Sequence, residues 1–297
     1  MGAYALEDHK LVHRLLGISR LLSFDRKDFV VARQLFNRPV DACKCIQLGS
    51  DGLVADVESV LLSEDINDAA GYIVWLDYEA PKDTLKQINE FKKLVGQFKP
   101  NDIVRVTVNA SFGHWAGDPR DGERMLTKEE RGIKAHTALV AALGEFMPGD
   151  LAAEKLDEEG VAKVLSQAYG IAANQAVPPS SGWTLEPLSV TRYKDGQQML
   201  SMTSIVTPLE QREALRSKMG LDNWPFASAA WSNVRLLAVP DLTVRERLYL
   251  ERNVSTPRAQ INEEVGFDFD VATEMRGFME NFRRYYRVYP ALSPVEL

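Results

Sequence analysis

The run Tyr72-Ile73-Val74-Trp75-Leu76 constrains the fold of this chain more than any other segment. It is apolar at nearly every position and ends abruptly in Asp77-Tyr78-Glu79. A strand with one wet face alternates apolar and polar residues, whereas a continuously apolar strand belongs to a sheet covered by helices on both sides. Pro81 follows, a residue suited to the first turn of a helix, and the stretch 81–98 is predicted to be that helix. A second β-rich run, 102–108, then ends at Asn109-Ala110-Ser111. Strand, helix and strand at this spacing predict parallel pairing through a crossover.

The segments on either side repeat the pattern. Residues 11–16 read as a helix stopped by Gly17. Residues 21–25 read as a short buried strand ending in an acid, and 28–36 as a helix stopped before Pro39. A strand over 43–48 and a helix over 53–62 follow. The expected architecture is therefore α/β, with a doubly wound, mostly parallel sheet whose strands end in polar clusters. Residues 112–127, rich in Gly, Asp, Arg and Pro, read as a loop; 128–146 and 157–176 read as helices. Asp195-Gly196, between the β-rich runs 188–193 and 198–206, signals a late β-hairpin. The C-terminal region after Pro208 reads as mainly helical. The expected division is one α/β domain over 1–207, with a helical insertion at 112–182, and an extension over 208–297.

Composition excludes several function classes. Of 297 residues, 45% are hydrophobic and 26% charged, as in an ordinary globular chain. No apolar run approaches the roughly 20 residues that span a bilayer, and Glu7, Asp8 and His9 stand where a secretory h-region would begin. A soluble, cytoplasmic protein is expected. The formal charge of −7 opposes non-specific nucleic-acid binding, which depends on phosphate neutralisation. Cys43 and Cys45, two apart, fit neither a zinc knuckle nor a redox CxxC. His9 and His13 have helical i, i+4 spacing, but Lys10 occupies the position where a zinc HExxH requires Glu. No metal site is expected.

The candidate chemistry lies at strand ends, where ligands bind in open parallel sheets. Gly2, in a turn running into a helix, lets a ligand approach the backbone. Asp25, about 20 residues on, is placed to accept hydrogen bonds from both ribose hydroxyls of a nucleotide; Asp28 is the better cap of the next helix, which leaves Asp25 free. Asp77, Tyr78 and Glu79 leave the apolar strand together, either to contact a ligand and serve as a base or to cap the following helix. Asn109 to Ser111, with Phe112, His114 and Trp115, either wall a planar ligand or fill a surface loop. Near the C-terminus, Arg276, Arg283, Arg284 and Arg287 interleave with Phe278, Phe282, Tyr285, Tyr286 and Tyr289. Such spacing stacks on bases or, more commonly, forms an apolar stripe with snorkelling arginines.

Taken together these residues resemble the bacterial putative O-methyltransferases, a Rossmann-like family of class I, S-adenosylmethionine-dependent proteins. The resemblance is carried by Gly2, Tyr4, Asp8 and the run from His13 to Ile18, then by Ser23-Phe24-Asp25, Arg33 and Phe36-Asn37-Arg38-Pro39. Trp75-Leu76-Asp77-Tyr78 is its most recognisable part, and Val106-Thr107-Val108-Asn109 completes it. It is close over residues 2–111 and looser at Phe282, Tyr285-Tyr286 and Tyr289-Pro290. The resemblance implies a cofactor site in which Gly2, Tyr4 and Asp8 lie near the methionine moiety. It places Asp25 on the ribose hydroxyls, the run from Gly49 through Ser50 to Asp51 near adenine, and Asp77 and Tyr78 where methyl donor and acceptor meet. In that family a strand precedes the glycine turn. Met1 stands where it would end, so this sequence is expected to lack that first strand: either the true start lies upstream, or the chain has rebuilt that edge of the sheet.

The leading expectation is thus a methyltransferase using S-adenosylmethionine, with Asp77 and Tyr78 as catalytic residues and an acceptor the sequence does not name. Methyl transfer needs mainly alignment, since the sulfonium is already activated, so no triad is required. Two alternatives stand beside it: a degenerate Rossmann-like binding module in a larger complex, and a nucleic-acid-modifying or -sensing protein. The C-terminal helices are expected either to cap the site or to form a homodimer interface.

Overall fold

The computed structural model describes residues 4–149, 152–237, 242–272 and 277–287. Contacts divide the chain into two compact units, 1–235 and 236–297.

The first unit opens with α1 (Glu7–Leu16), which starts earlier than the sequence pattern suggests and ends at Gly17. Gly17 adopts φ 67° and its N–H reaches the His13 carbonyl at 3.0 Å, a left-handed cap that glycine makes without strain. β1 (Leu22–Asp25), α2 (Asp28–Asn37) and β2 (Lys44–Gln47) follow as expected, and β1 pairs with β2 in parallel. His9, buried in α1, hydrogen-bonds the Leu22 carbonyl through Nε2 at 3.2 Å and so ties the helix to β1. The helix expected over 53–62 is two helices, α3 (Ser50–Ala55) and α4 (Val57–Ser63). They break at Asp56, whose extended backbone lets its carboxylate accept the Ser59 N–H at 2.9 Å and cap the second.

β3 (Ile73–Tyr78) runs into the polar cluster rather than stopping before it. α5 (Thr84–Val95), preceded by a 3₁₀ turn at Pro81–Asp83, carries the chain back to β4 (Ile103–Asn109), and β3 and β4 pair in parallel. Asp102 fixes the start of both strands: one oxygen accepts the Tyr72 N–H and the other the Lys99 N–H, each at 2.7 Å. α5 buries Ile88, Phe91, Leu94 and Val95 completely. Side chains of this size each contribute roughly 1.5–3 kcal/mol on burial.

The segment expected as a loop instead holds α6 (Phe112–Ala116) and a two-stranded ribbon, β5 (Arg120–Asp121) with β6 (Arg124–Met125). α7 (Lys128–Leu143) starts in a capping box between Thr127 and Glu130. α8 (Glu158–Ala176) packs on α5, with Phe91 and Tyr169 edge-to-face at 5.0 Å. The late hairpin is longer than its apolar core: β7 (Trp183–Asp195) and β8 (Gln197–Pro208) meet at Gly196, φ 65°.

This hairpin corrects the expected sheet. β8 joins the free side of β4 antiparallel, over seven residue pairs from Ile103↔Ile205 to Asn109↔Met199. The central sheet therefore has the order β3-β4-β8-β7-β9, where β9 is Arg235–Leu236. It is mixed, not mostly parallel, and β1-β2 form a separate two-stranded sheet. A tight hairpin joins two antiparallel strands, so once β7 and β8 both enter the sheet beside β4 it cannot be all parallel. The fold is α/β. After β8, α9 (Arg212–Lys218) stays on the first unit because Arg216 donates to buried Glu186 of β7 at 2.7 Å.

The second unit contains α10 (Val244–Arg252), α11 (Arg258–Val265), α12 (Phe269–Ala272) and α13 (Phe278–Tyr285) around Leu250, Ile261, Phe269, Phe278 and Phe282. The described part of the C-terminal arginine and aromatic stretch is thus largely its core stripe, while Arg276, Tyr289 and Pro290 lie outside the described residues. No described helix is long and apolar enough to cross a membrane.

Candidate functional site

A cavity of about 440 Å³ opens at the C-terminal ends of β1 and β3. β1 contributes Asp25 and, just beyond it, Arg26. Ser50, the first residue of α3, forms part of the wall. β3 delivers Asp77 and Tyr78, with Glu79 and Ala80 after them. The floor comes from the first turns of α5 and its 3₁₀ lead-in: Asp83, Lys86, Gln87 and Glu90. Their three- and four-residue spacing places these four side chains on one helical face.

Asp25 is half-buried and only partly free. One oxygen accepts the Lys27 N–H at 2.8 Å, because Lys27, not Asp28, is the cap residue of α2; Asp28 lies inside the helix. The other oxygen has no hydrogen-bond partner among the described residues, and Asp25 lines the cavity. Asp77 keeps an exposed face, yet partial burial of its carboxyl pushes its pKa above the ordinary carboxylate value, with Glu79 and Asp8 adding to the rise and Arg105 opposing it. A carboxylate held this way is a stronger proton acceptor than a free one.

Tyr78 is buried and committed. Its hydroxyl donates to Glu90 Oε2 at 2.7 Å. Burial first, then the bond to Glu90, drives its pKa upward. The phenol therefore stays protonated and holds Glu90, so it cannot serve as a base. Arg105, two residues along β4 from Thr107, stacks its guanidinium 4.2 Å from the Trp75 ring. Trp75 in turn donates to Thr107 Oγ1 at 3.0 Å.

The other candidates fall around the cavity rather than in its lining. Gly49 precedes α3 beside Arg26: a Cβ there would come 2.3 Å from Asp51 Oδ1 and 2.6 Å from Arg26 Nε. Asp51 pairs with Arg26 at 2.8 Å, which holds its carboxyl below the usual range. Asp8 sits in the first turn of α1, close enough for its charge to act on Asp77 and Arg105. Tyr4 lies against the Arg33 guanidinium, 3.3 Å from its ring centroid, and its carbonyl accepts from Asn37 at 3.0 Å. Gly2 lies outside the described residues. Asn109 is tied to Gln197 and to the Ser111 N–H, and Trp115 is buried, so that cluster is packed as structure.

Sequence reasoning missed Arg26 and the whole contribution of α5. The signal was present: a helix that starts at the end of a ligand-facing strand turns its first residues toward the same cavity. His13 Nδ1 bonds the Ile18 carbonyl at 2.9 Å, and no cluster of three or more metal-ligating side chains occurs among the described residues.

No curated protein matches this chain. A protein-family model described as putative O-methyltransferase matches residues 1–297, its full length. A match over the entire chain, with an α/β fold and a polar cavity at the strand ends, shows that the chain belongs to the putative O-methyltransferase family.

Proposed function

We propose that this protein is an S-adenosylmethionine-dependent methyltransferase and that the cavity between β1 and β3 is its cofactor site. The observation that carries this reading is Asp25, at the end of a parallel strand, with one oxygen left without a hydrogen-bond partner among the described residues, lining a cavity that Asp77 also lines. An acid there is suited to two ribose hydroxyls, as in Rossmann-like sheets. The volume fits a nucleoside-sized ligand.

When bound, the cofactor supplies a methyl group already activated on a sulfonium. The chain's own residues then align and deprotonate. Asp25 would hold the ribose hydroxyls and so orient the cofactor. Asp77 would take the proton of an acceptor hydroxyl as that oxygen receives the methyl group, with the thioether as the leaving group. Tyr78 positions Glu90 and takes no proton. Alignment supplies most of the rate, with general-base assistance contributing on the order of 10²–10⁴-fold for a poor nucleophile.

The test is a thermal-shift and calorimetric titration with S-adenosylmethionine and S-adenosylhomocysteine. At ~100 times its dissociation constant a ligand stabilises by about 2.7 kcal/mol, a rise of a few degrees for a chain of this size. The rise is expected for the unmodified protein and absent in Asp25→Ala. A folded protein with no shift would overturn the reading.

A further inference from the structure

The cofactor cavity carries an unusual charge. Five of its lining residues are carboxylates, Asp25, Asp77, Glu79, Asp83 and Glu90, against two cations, Arg26 and Lys86. Arg26 is already engaged by Asp51, which lies outside the lining, so its charge is spent elsewhere. Of the five carboxylates Glu90 alone is buried. Its side chain is only 8% exposed. Oε2 receives the Tyr78 hydroxyl, but Oε1 is buried and accepts no hydrogen bond. Lys86 Nζ stands 3.5 Å from it, an ion-pair distance without a hydrogen bond, and the lysine side chain is itself 55% exposed. A buried carboxylate oxygen in this state lacks a hydrogen-bond donor, and a solvent-exposed lysine at ion-pair distance offsets its charge only in part. Walls of low dielectric concentrate the field of such a cleft on whatever enters it.

Resting on the cofactor assignment above, we infer that the cavity discriminates by charge at the reacting centre. It prefers a ligand bearing a positive charge there to the neutral thioether that methyl transfer leaves behind, and Glu90 is the residue that sets the preference. The transfer removes one positive charge from the bound ligand, because the S–C electron pair returns to sulfur. The field that draws the charged donor in is therefore lost to the product, and product departure is favoured by the reaction itself.

Three ligands that share the adenosine and amino-acid ends isolate this charge. They are S-adenosylmethionine, its analogue with a protonated amine-bearing carbon in place of the methylated sulfur, and S-adenosylhomocysteine. Calorimetric titration at low salt is expected to show the two charged ligands binding about tenfold more tightly than the neutral one. The ratio should fall toward one in Glu90→Gln, which keeps an acceptor for the Tyr78 hydroxyl, and should shrink as salt screens the cavity. If Glu90→Gln does not fold, Asp83→Asn, an exposed position on the same wall, gives the same readout in smaller measure. Equal affinities for all three in the unmodified protein would overturn the charge preference while leaving the cofactor site intact. An undiminished ratio in folded Glu90→Gln would overturn the role of Glu90. Failure of all three to bind would remove the cofactor reading and the preference together.

Discussion

Asp77 shows how a single residue reconciles folding with chemistry. Its raised pKa means that the folded state holds its proton more tightly than the unfolded chain. Between the unfolded value, near 4, and the higher folded value, the native state binds more protons, so the contribution of Asp77 to stability falls as pH rises through that window. Asp77→Asn is expected to melt with the parent protein near pH 4 and above it at neutral pH, while losing methyl transfer to hydroxyl acceptors. Parallel melting curves and activity assays across pH 4–8 check both halves. Tyr78 gives a contrasting prediction. Tyr78→Phe strips the donor from a buried carboxylate oxygen and should cost about 1–3 kcal/mol. Adding Glu90→Gln should recover part of that loss, because a neutral amide is cheaper to bury than a lone carboxylate. Strictly additive urea-unfolding free energies for the two changes would show that the pair does not act together. Asp25 and Asp77 were legible in the sequence because each ends an apolar run. Glu90 was not, since on its own helix it is one polar residue among several, and only the strand opposite gives it a partner.

At the scale of elements, strand and helix positions follow from period and punctuation, and errors occur where side chains override the apolar pattern. The break at Asp56 is a cap written as Asp-x-x-Ser, and the start of α7 is a capping box written as Thr-x-x-Glu. Both are local signals. The crossing of α7 over the short 3₁₀ turn at Ala153–Lys155 is not. Gly132 permits it: a Cβ there would lie 2.7 Å from the Ala153 carbonyl oxygen, with two more carbonyls at 3.2 Å. Gly132→Ala should therefore lower the melting temperature even though alanine gains ~1 kcal/mol of helix propensity over glycine. A rise in melting temperature would show that the backbones can separate at no cost. Gly170 of α8 presents the same situation against the Trp231 ring, at 2.7–3.0 Å.

At the scale of the molecule, every residue lining the cavity belongs to the unit over 1–235, and the unit over 236–297 has a core of its own. A fragment ending at Arg235 is expected to unfold cooperatively and to keep the S-adenosylmethionine-induced rise in melting temperature. Loss of that rise in a folded fragment would mean that the C-terminal unit completes the site.

The sequence by itself determined where the strands of the first half lie, that Asp25 and Asp77 stand at the ends of two of them, and that helices follow the first three, because these are properties of neighbouring residues. Tertiary structure decided which edges meet. β8 lies against β4 across nearly a hundred residues of intervening chain, and nothing in the local pattern of either strand names the other. The same holds for the cavity floor: α5 brings Glu90 under Tyr78 only because the crossover returns the chain beside β3. Pairing and burial are non-local, and a residue's charge state, its partner and its use depend on them.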